Sequence, residues 1–140
     1  MKKAVIFDLD GTLTDTVGSI AEAGNAMLKL RGFDPQPVDA YRFFAGDGAK
    51  TLVLRALAAA GESDPEAVID EALAQYMKIF ATTCTNGVKP FDGITELLAG
   101  LKERGVAAAV LSNKPHPRYT DHQRECFPTH YLITFSSRLV

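Results

Sequence analysis

The chain has 140 residues, with 15 Lys and Arg against 17 Asp and Glu, a formal net charge of −2 and 46% hydrophobic residues. That balance predicts one folded unit in water and excludes nucleic-acid binding through a general basic surface, because affinity for backbone phosphates depends on clustered Lys and Arg. A chain this long buries roughly 68–70% of the surface its unfolded form exposes, enough for one core with a small insertion and too little for two full-sized domains.

The opening, MKKAVIFDLDG, has too short an apolar run for a signal peptide or a membrane span, so a cytoplasmic protein is expected. Residues 3–8 form a β-branched and aromatic run that predicts a strand buried on both faces of a parallel sheet. Asp15 is a plausible N-cap for a helix in which Val17, Ile20, Ala21, Ala23, Met27, Leu28 and Leu30 recur at helical spacing, until Gly32 and Pro35 stop it. Further helices are predicted over 38–44, over 50–60 ending at Gly61, and over 65–81, where Val68, Ile69, Ala72, Leu73, Tyr76 and Phe80 share a face. The pattern changes after Gly87 and Pro90: a helix over 93–103 leads into a second apolar run, 106–111, that ends in Ser112-Asn113. Residues 131–135 suit a third strand, whereas 117–128 have no helical period. Cys84 and Cys126 have no CxxC or His-spaced partner, so neither a disulfide framework nor a zinc site is expected.

Two parallel strands whose carboxyl ends both carry polar groups bring those groups to one crevice, where open α/β sheets bind ligands. The helices between about 15 and 85 then form an inserted cap. In FDLDGTLTD, strand alternation places Asp8 and Asp10 on one side with Leu9 turned away. Two close carboxylates are costly to ionise together, so a bound cation or a shared proton is expected. Mg²⁺ suits the first case, because it favours oxygen ligands and commonly bridges carboxylates and substrate phosphate. Gly11 and Thr12 offer free amides and a hydroxyl to phosphate oxygens. The turn Gly46-Asp47-Gly48 reads either as an N-cap and turn before the helix near Lys50, or as a specificity loop. In the second reading Lys50 or Arg42 meets a substrate carboxylate, while the glycines let backbone amides approach closely.

The string FDLDGTLTD resembles the first motif of the haloacid dehalogenase-like (HAD) phosphatase superfamily, DxDGT. VKPFDGI, the helix after it, Gly105 and LSNKP resemble the second-motif region, and YRFFAGDG is similar to the phosphoglycolate phosphatase branch; together these cover residues 1 to about 116 in order. The resemblance implies an α/β fold, a HAD-like Rossmannoid parallel sheet, incomplete here, with an inserted α-helical cap. It assigns 1–14 and 86–140 to the core, 117–140 being atypical, and 15–85 to the cap. It implies that Asp8 attacks phosphorus to form an aspartyl-phosphate, and that Asp10 protonates the leaving alcohol and then activates water. It further implies Mg²⁺ held by the Asp8 carboxylate and the Asp10 carbonyl, and a phosphoryl group hydrogen-bonded by Ser112 and Asn113. The expected partner is a small phosphate ester such as 2-phosphoglycolate, with no nucleic acid and no membrane.

The pattern departs from the family after Pro115. No third-motif Lys or Arg and no fourth-motif GD-x3-D string precede Val140. The alternative expectation is therefore a truncated, catalytically silent HAD fragment that at most binds Mg²⁺ or phosphate. Missing strands would also leave the first strand's far edge unpaired, and an exposed apolar edge invites association into a homo-oligomer; a monodisperse monomer in light scattering would count against that.

Overall fold

The computed structural model describes residues 4–112 together with the backbone of 133–136. The chain divides into two compact units, Met1–Thr16 with Val88–Val140 and Val17–Gly87.

The first unit is built on parallel strands. β1 is Ala4–Phe7, β2 Thr14–Asp15, β3 Lys89–Pro90, and the helix Ile94–Glu103 precedes Ala107–Ser112 and Ile133–Ser136. With the strands numbered in chain order the last two are β4 and β5, and the sheet order is β1-β4-β5. β4 pairs in parallel with β1, Phe7 opposite Val110, and with β5, Ser112 opposite Ser136. β2 and β3 make a separate antiparallel pair. This is the mixed α/β architecture with a small parallel sheet that the sequence predicts.

Its core lies on one face of that sheet, where Leu9, Leu13, Leu98, Ala108 and Val110 are buried and Phe7, Ile94 and Leu101 pack beside them. The expectation that the first strand is buried on both faces is corrected. Ile6 is 67% exposed and Ala4 is exposed, because the helix 94–103 packs one side of the sheet and β1 pairs only with β4 among the described residues. Asp15 is also corrected: it pairs with Lys89 in the β2–β3 ladder, and the helix that it was expected to cap begins at Val17. The phenylalanine N–H at position 91 donates to Leu13 O at 3.1 Å, a further tie between the two ends of this unit.

The second unit is helical: α1 is Val17–Leu30, a 3₁₀ turn covers Val38–Ala40, and α2, α3 and α4 are Tyr41–Phe44, Ala49–Ala59 and Pro65–Thr83. The helix 94–103 of the first unit is α5. α4 starts as its sequence predicts, with Pro65 in the first turn and the Asp64 carboxylate accepting from the Ala67 N–H at 3.2 Å, which satisfies one of the amides a helix leaves unpaired. α1 and α3 both pack along α4 and bury Ile20, Met27, Leu28, Val53, Leu57, Ile69, Ala72, Tyr76 and Phe80.

The 31–40 connection is held from inside by Asn25. Its Oδ1 accepts from the Gln36 N–H at 2.8 Å and from the Tyr41 hydroxyl at 2.9 Å, and its Nδ2 donates to Gln36 O at 2.9 Å. Burial raises the Tyr41 hydroxyl above the ordinary tyrosine value. A folded-state pKa raised in this way contributes stability in full below the unfolded value of about 10, and that contribution is lost as pH rises beyond it. Tyr41→Phe is expected to cost about 1 kcal/mol near neutral pH through the lost hydrogen bond. Its urea midpoint should then fall less than that of the unaltered chain when pH is raised from about 9 to about 11; parallel declines would contradict this.

Candidate active site

β1 ends at Phe7, and the segment that follows folds around one carbonyl. Leu9 O accepts from the N–H groups of Thr12 at 3.3 Å, Leu13 at 3.0 Å and Thr14 at 3.1 Å, and from the Thr14 hydroxyl at 3.2 Å. The Gly11 N–H donates to Thr14 O at 2.8 Å, and Gly11 has φ +81°, a conformation that L side chains rarely adopt. Leu9 and Leu13, both fully buried, hold this turn against the sheet core. Asp8 and Asp10 flank Leu9 on a loop whose shape is set by backbone bonds and two apolar anchors.

Burial raises the Asp8 carboxyl above its ordinary value of 3.8, and the Asp10 charge adds to the rise, while hydrogen bonds from the Leu9 N–H and the Thr12 side chain lower it. The Asp10 charge acts on the Asp8 carboxyl, so the two acids lie close enough to repel each other. The strand stops before Asp8, so a turn about Leu9 sets the relation between the acids rather than the pleat.

The expectation that Gly11 and Thr12 offer free amides is corrected. Both amides close the turn itself, the Gly11 N–H donating to Thr14 O and the Thr12 N–H to Leu9 O. Ser112 ends β4, and the parallel register puts the carboxyl ends of β1 and β4 at the same end of the sheet. Ser112 is 3% exposed there, a buried hydroxyl rather than an open one. Asn113 lies outside the described residues.

Mg²⁺ is tested by the donors themselves. Among the described residues no group of three His, Cys, Asp or Glu is placed to hold a metal. Asp8 and Asp10 nevertheless present hard oxygen donors beside each other, and Mg²⁺ is commonly bound through one or two carboxylates, its remaining positions taken by water and substrate phosphate. The pair fits that ion as part of a shell.

In the helical unit the turn 45–48 precedes α3. Gly46 and Gly48 have φ +115° and +88°. The N-cap of α3 is Gly48, without a side-chain bond, so Asp47 does not cap the helix. Its carboxylate instead meets Arg55 Nη2 at 2.6 Å. Arg42 is paired with Asp39 at 3.2 Å, while Lys50 is exposed and makes no hydrogen bond or ion pair with the described residues. Arg55 is the residue that sequence reasoning missed. It reads as one more cation on an amphipathic helix, and nothing in its spacing announces a partner across the preceding loop.

A parallel sheet with an aspartate pair at the carboxyl end of its first strand, and a helical unit between the first and second long strands, define a hydrolase fold class that comparison identifies. A profile of the haloacid dehalogenase-like hydrolase family matches residues 5–135, and the chain belongs to this family. It is 38% identical over 116 residues to phosphoglycolate phosphatase of Rhodobacter capsulatus, covering 83% of this chain and 52% of that protein. Phosphoglycolate phosphatase 1 of Pseudomonas aeruginosa is 37% identical over 117 residues, covering 82% of this chain and 43% of its own length. The chain thus spans about half the length of the curated relatives it matches.

Among solved structures, a proposed phosphoglycolate phosphatase from Lactobacillus delbrueckii subsp. bulgaricus superposes with TM-score 0.87 at 30% identity, covering 99% of this chain and 66% of that one. A haloacid dehalogenase-like family hydrolase from Streptococcus pneumoniae gives TM-score 0.79 at 25% identity, covering 99% and 62%. No helix among the described residues is long and apolar enough to cross a membrane.

Proposed function

We propose that the chain carries the nucleophile-bearing part of a Mg²⁺-dependent phosphomonoester hydrolase that acts through an aspartyl-phosphate, on a small ester such as 2-phosphoglycolate. The observation that carries this reading is the Asp8–Asp10 pair on a turn at the carboxyl end of β1, a turn closed by backbone hydrogen bonds to Leu9 O, with the Asp10 charge acting on the Asp8 carboxyl. The similarity to phosphoglycolate phosphatases supports the substrate class.

A carboxylate oxygen of Asp8 attacks phosphorus and the bond from phosphorus to the ester oxygen breaks, the leaving alcohol taking its proton from Asp10. Asp10, now ionised, accepts a proton from water as that water attacks the aspartyl-phosphate, so Asp8 is released with inorganic phosphate and Asp10 returns to its acid form. The backbone bonds to Leu9 O set the turn that carries Asp8, and positioning of this kind supplies part of the rate. When bound by the Asp8 carboxylate and the Asp10 carbonyl, Mg²⁺ supplies positive charge that offsets repulsion between the anionic nucleophile and the phosphate. Ser112, with Asn113 beside it in sequence, is the proposed phosphoryl ligand. Gly46, Asp47, Gly48 and Lys50 are proposed to select the substrate; Lys50 suits a carboxylate better than Arg42, which is already paired with Asp39.

The test is phosphate release from 2-phosphoglycolate and from p-nitrophenyl phosphate, with Mg²⁺ and again after chelation. Release that falls by at least about 10²-fold on chelation is expected, the scale of losing one preorganised charge-stabilising group. A folded sample that releases no phosphate from either ester contradicts the hydrolase reading and leaves a chain that at most binds Mg²⁺ or phosphate.

A further inference from the structure

Thr14 joins the turn that carries both acids to a segment of chain far from it in sequence. It is fully buried and opens β2. Its N–H and its hydroxyl both donate to Leu9 O, at 3.1 Å and 3.2 Å, and its own carbonyl oxygen accepts from the Gly11 N–H at 2.8 Å. Opposite it in β3 stands Pro90, which has no N–H to donate, so the ladder is carried one step along by the Phe91 N–H on Leu13 O at 3.1 Å. Thr14 also forms a β-bridge with Asp10. All of these residues belong to the unit that carries Asp8.

The hydroxyl bond bears on the acids through one peptide group. Leu9 O is the oxygen of the planar unit that joins Leu9 to Asp10, so the direction in which that oxygen is held sets the plane from which Asp10 departs, and with it where the Asp10 carboxyl stands relative to Asp8. Closing the turn does not require the hydroxyl. The amides of Thr12, Leu13 and Thr14 already donate to Leu9 O, and valine has the shape and β preference that a buried strand position favours. A buried hydroxyl placed on a carbonyl that already has three amide donors adds orientation rather than closure. Threonine suits that task, because its branched Cβ restricts χ1 and so keeps the hydroxyl on its acceptor.

We propose that Thr14 is a positioning residue for the acid pair: its hydroxyl on Leu9 O fixes the peptide between Leu9 and Asp10, and thereby the place from which Asp10 delivers its proton to the leaving oxygen. This rests on the hydrolase reading and deepens it. The dependence on Thr14 is therefore greatest for an ester whose leaving group departs only as the protonated alcohol, and small for one whose leaving group departs as a stable anion. Serine substitutes for Thr14 in this role and valine does not, because the hydroxyl is the group that acts.

The test compares the full chain with Thr14→Val and Thr14→Ser in two assays. In the first, kcat/KM for 2-phosphoglycolate, whose alkyl oxygen leaves with a proton from Asp10, is expected to fall about tenfold in Thr14→Val, while kcat/KM for p-nitrophenyl phosphate, whose phenolate leaves without one, stays within about twofold. Thr14→Ser is expected to stay within about twofold of the unaltered chain for both esters. In the second, hydrogen exchange of the Thr12 and Leu13 amides, which share Leu9 O, is expected to be faster in Thr14→Val than in Thr14→Ser, without a comparable difference over α5. An equal loss for both esters, an unchanged rate for 2-phosphoglycolate in Thr14→Val, or a loss in Thr14→Ser as large as in Thr14→Val overturns the inference. Equal exchange of the Thr12 and Leu13 amides in the two variants overturns the hold on Leu9 O whatever the kinetics. If the unaltered chain turns over neither ester, the hydrolase reading fails and takes the positioning role with it, while the exchange result still reports on the hold by itself.

Discussion

Asp8→Asn is expected to abolish Mg²⁺-dependent phosphate release, by at least about 10³-fold, while leaving the fold intact. The substitution exchanges one carboxylate oxygen for an amide nitrogen of nearly the same size, so the packing of Leu9 and Leu13 and the bonds to Leu9 O are undisturbed. It removes the attacking oxygen's charge and with it the covalent route. Stability should move in the opposite direction. Because the Asp8 carboxyl is raised above 3.8 by burial and by Asp10, the folded state holds that proton more tightly than the unfolded state does. Its contribution is present in full below the unfolded value and is lost as pH rises past the folded one. Asparagine stays neutral throughout, so the thermal midpoint of the variant should exceed that of the unaltered chain near pH 7, with the gap closing near pH 3. Circular dichroism melts at both pH values check this, and a variant that melts earlier at pH 7 would contradict it.

Gly24→Ala is expected to destabilise the helical unit by about 2–3 kcal/mol, although alanine is the better helix former by about 1 kcal/mol. A Cβ at position 24 would overlap the Tyr41 ring, with Cζ at 2.7 Å and the hydroxyl oxygen at 2.5 Å. Tyr41 cannot swing aside cheaply: its side chain is buried, its hydroxyl is bonded to Asn25, and its ring rests against Phe44. Moving it would also strip one donor from the Asn25 carbonyl that holds Gln36. Gly18 on the same helix provides the control, because a Cβ there meets nothing within 4 Å. Gly18→Ala should therefore stabilise by about 0.5–1 kcal/mol, the ordinary gain for replacing glycine in a helix. Urea unfolding of the two variants should give midpoints on opposite sides of the parent; stabilisation by both would show that the Gly24–Tyr41 contact is not tight.

The elements that periodicity and end signals define were legible in the sequence. Pro65 announces the start of α4, Gly61 and Gly105 mark the residues just past α3 and α5, and the apolar run after Gly105 is the strand β4 that pairs with β1. The aspartate pair was legible as well, because FDLDGTLTD couples a strand end to a glycine turn. Other features depend on chain closure that no local pattern encodes. Asp15 has the chemistry of an N-cap, yet its backbone is claimed by Lys89, 74 positions further along in the ladder of β2 and β3. The amides of Gly11 and Thr12 look available in a sequence, and the turn that forms around Leu9 O consumes them. Asn25, Gln36 and Tyr41 form one network from three polar positions that read as unrelated. Arg55 finds Asp47 and two α2 carbonyls for the same reason: its partners are set by how α2 and α3 fold back on each other, while its own spacing says only that it lies on a helix.

The most direct measurement of the central claim is an acid quench of the chain during turnover of 2-phosphoglycolate in Mg²⁺, followed by mass spectrometry of the proteolytic peptide that contains Asp8. The account predicts one added phosphoryl group on Asp8, absent from Asp8→Asn and absent when Mg²⁺ is chelated. Turnover that persists undiminished in Asp8→Asn, or a phosphoryl group captured on a different residue, would contradict it.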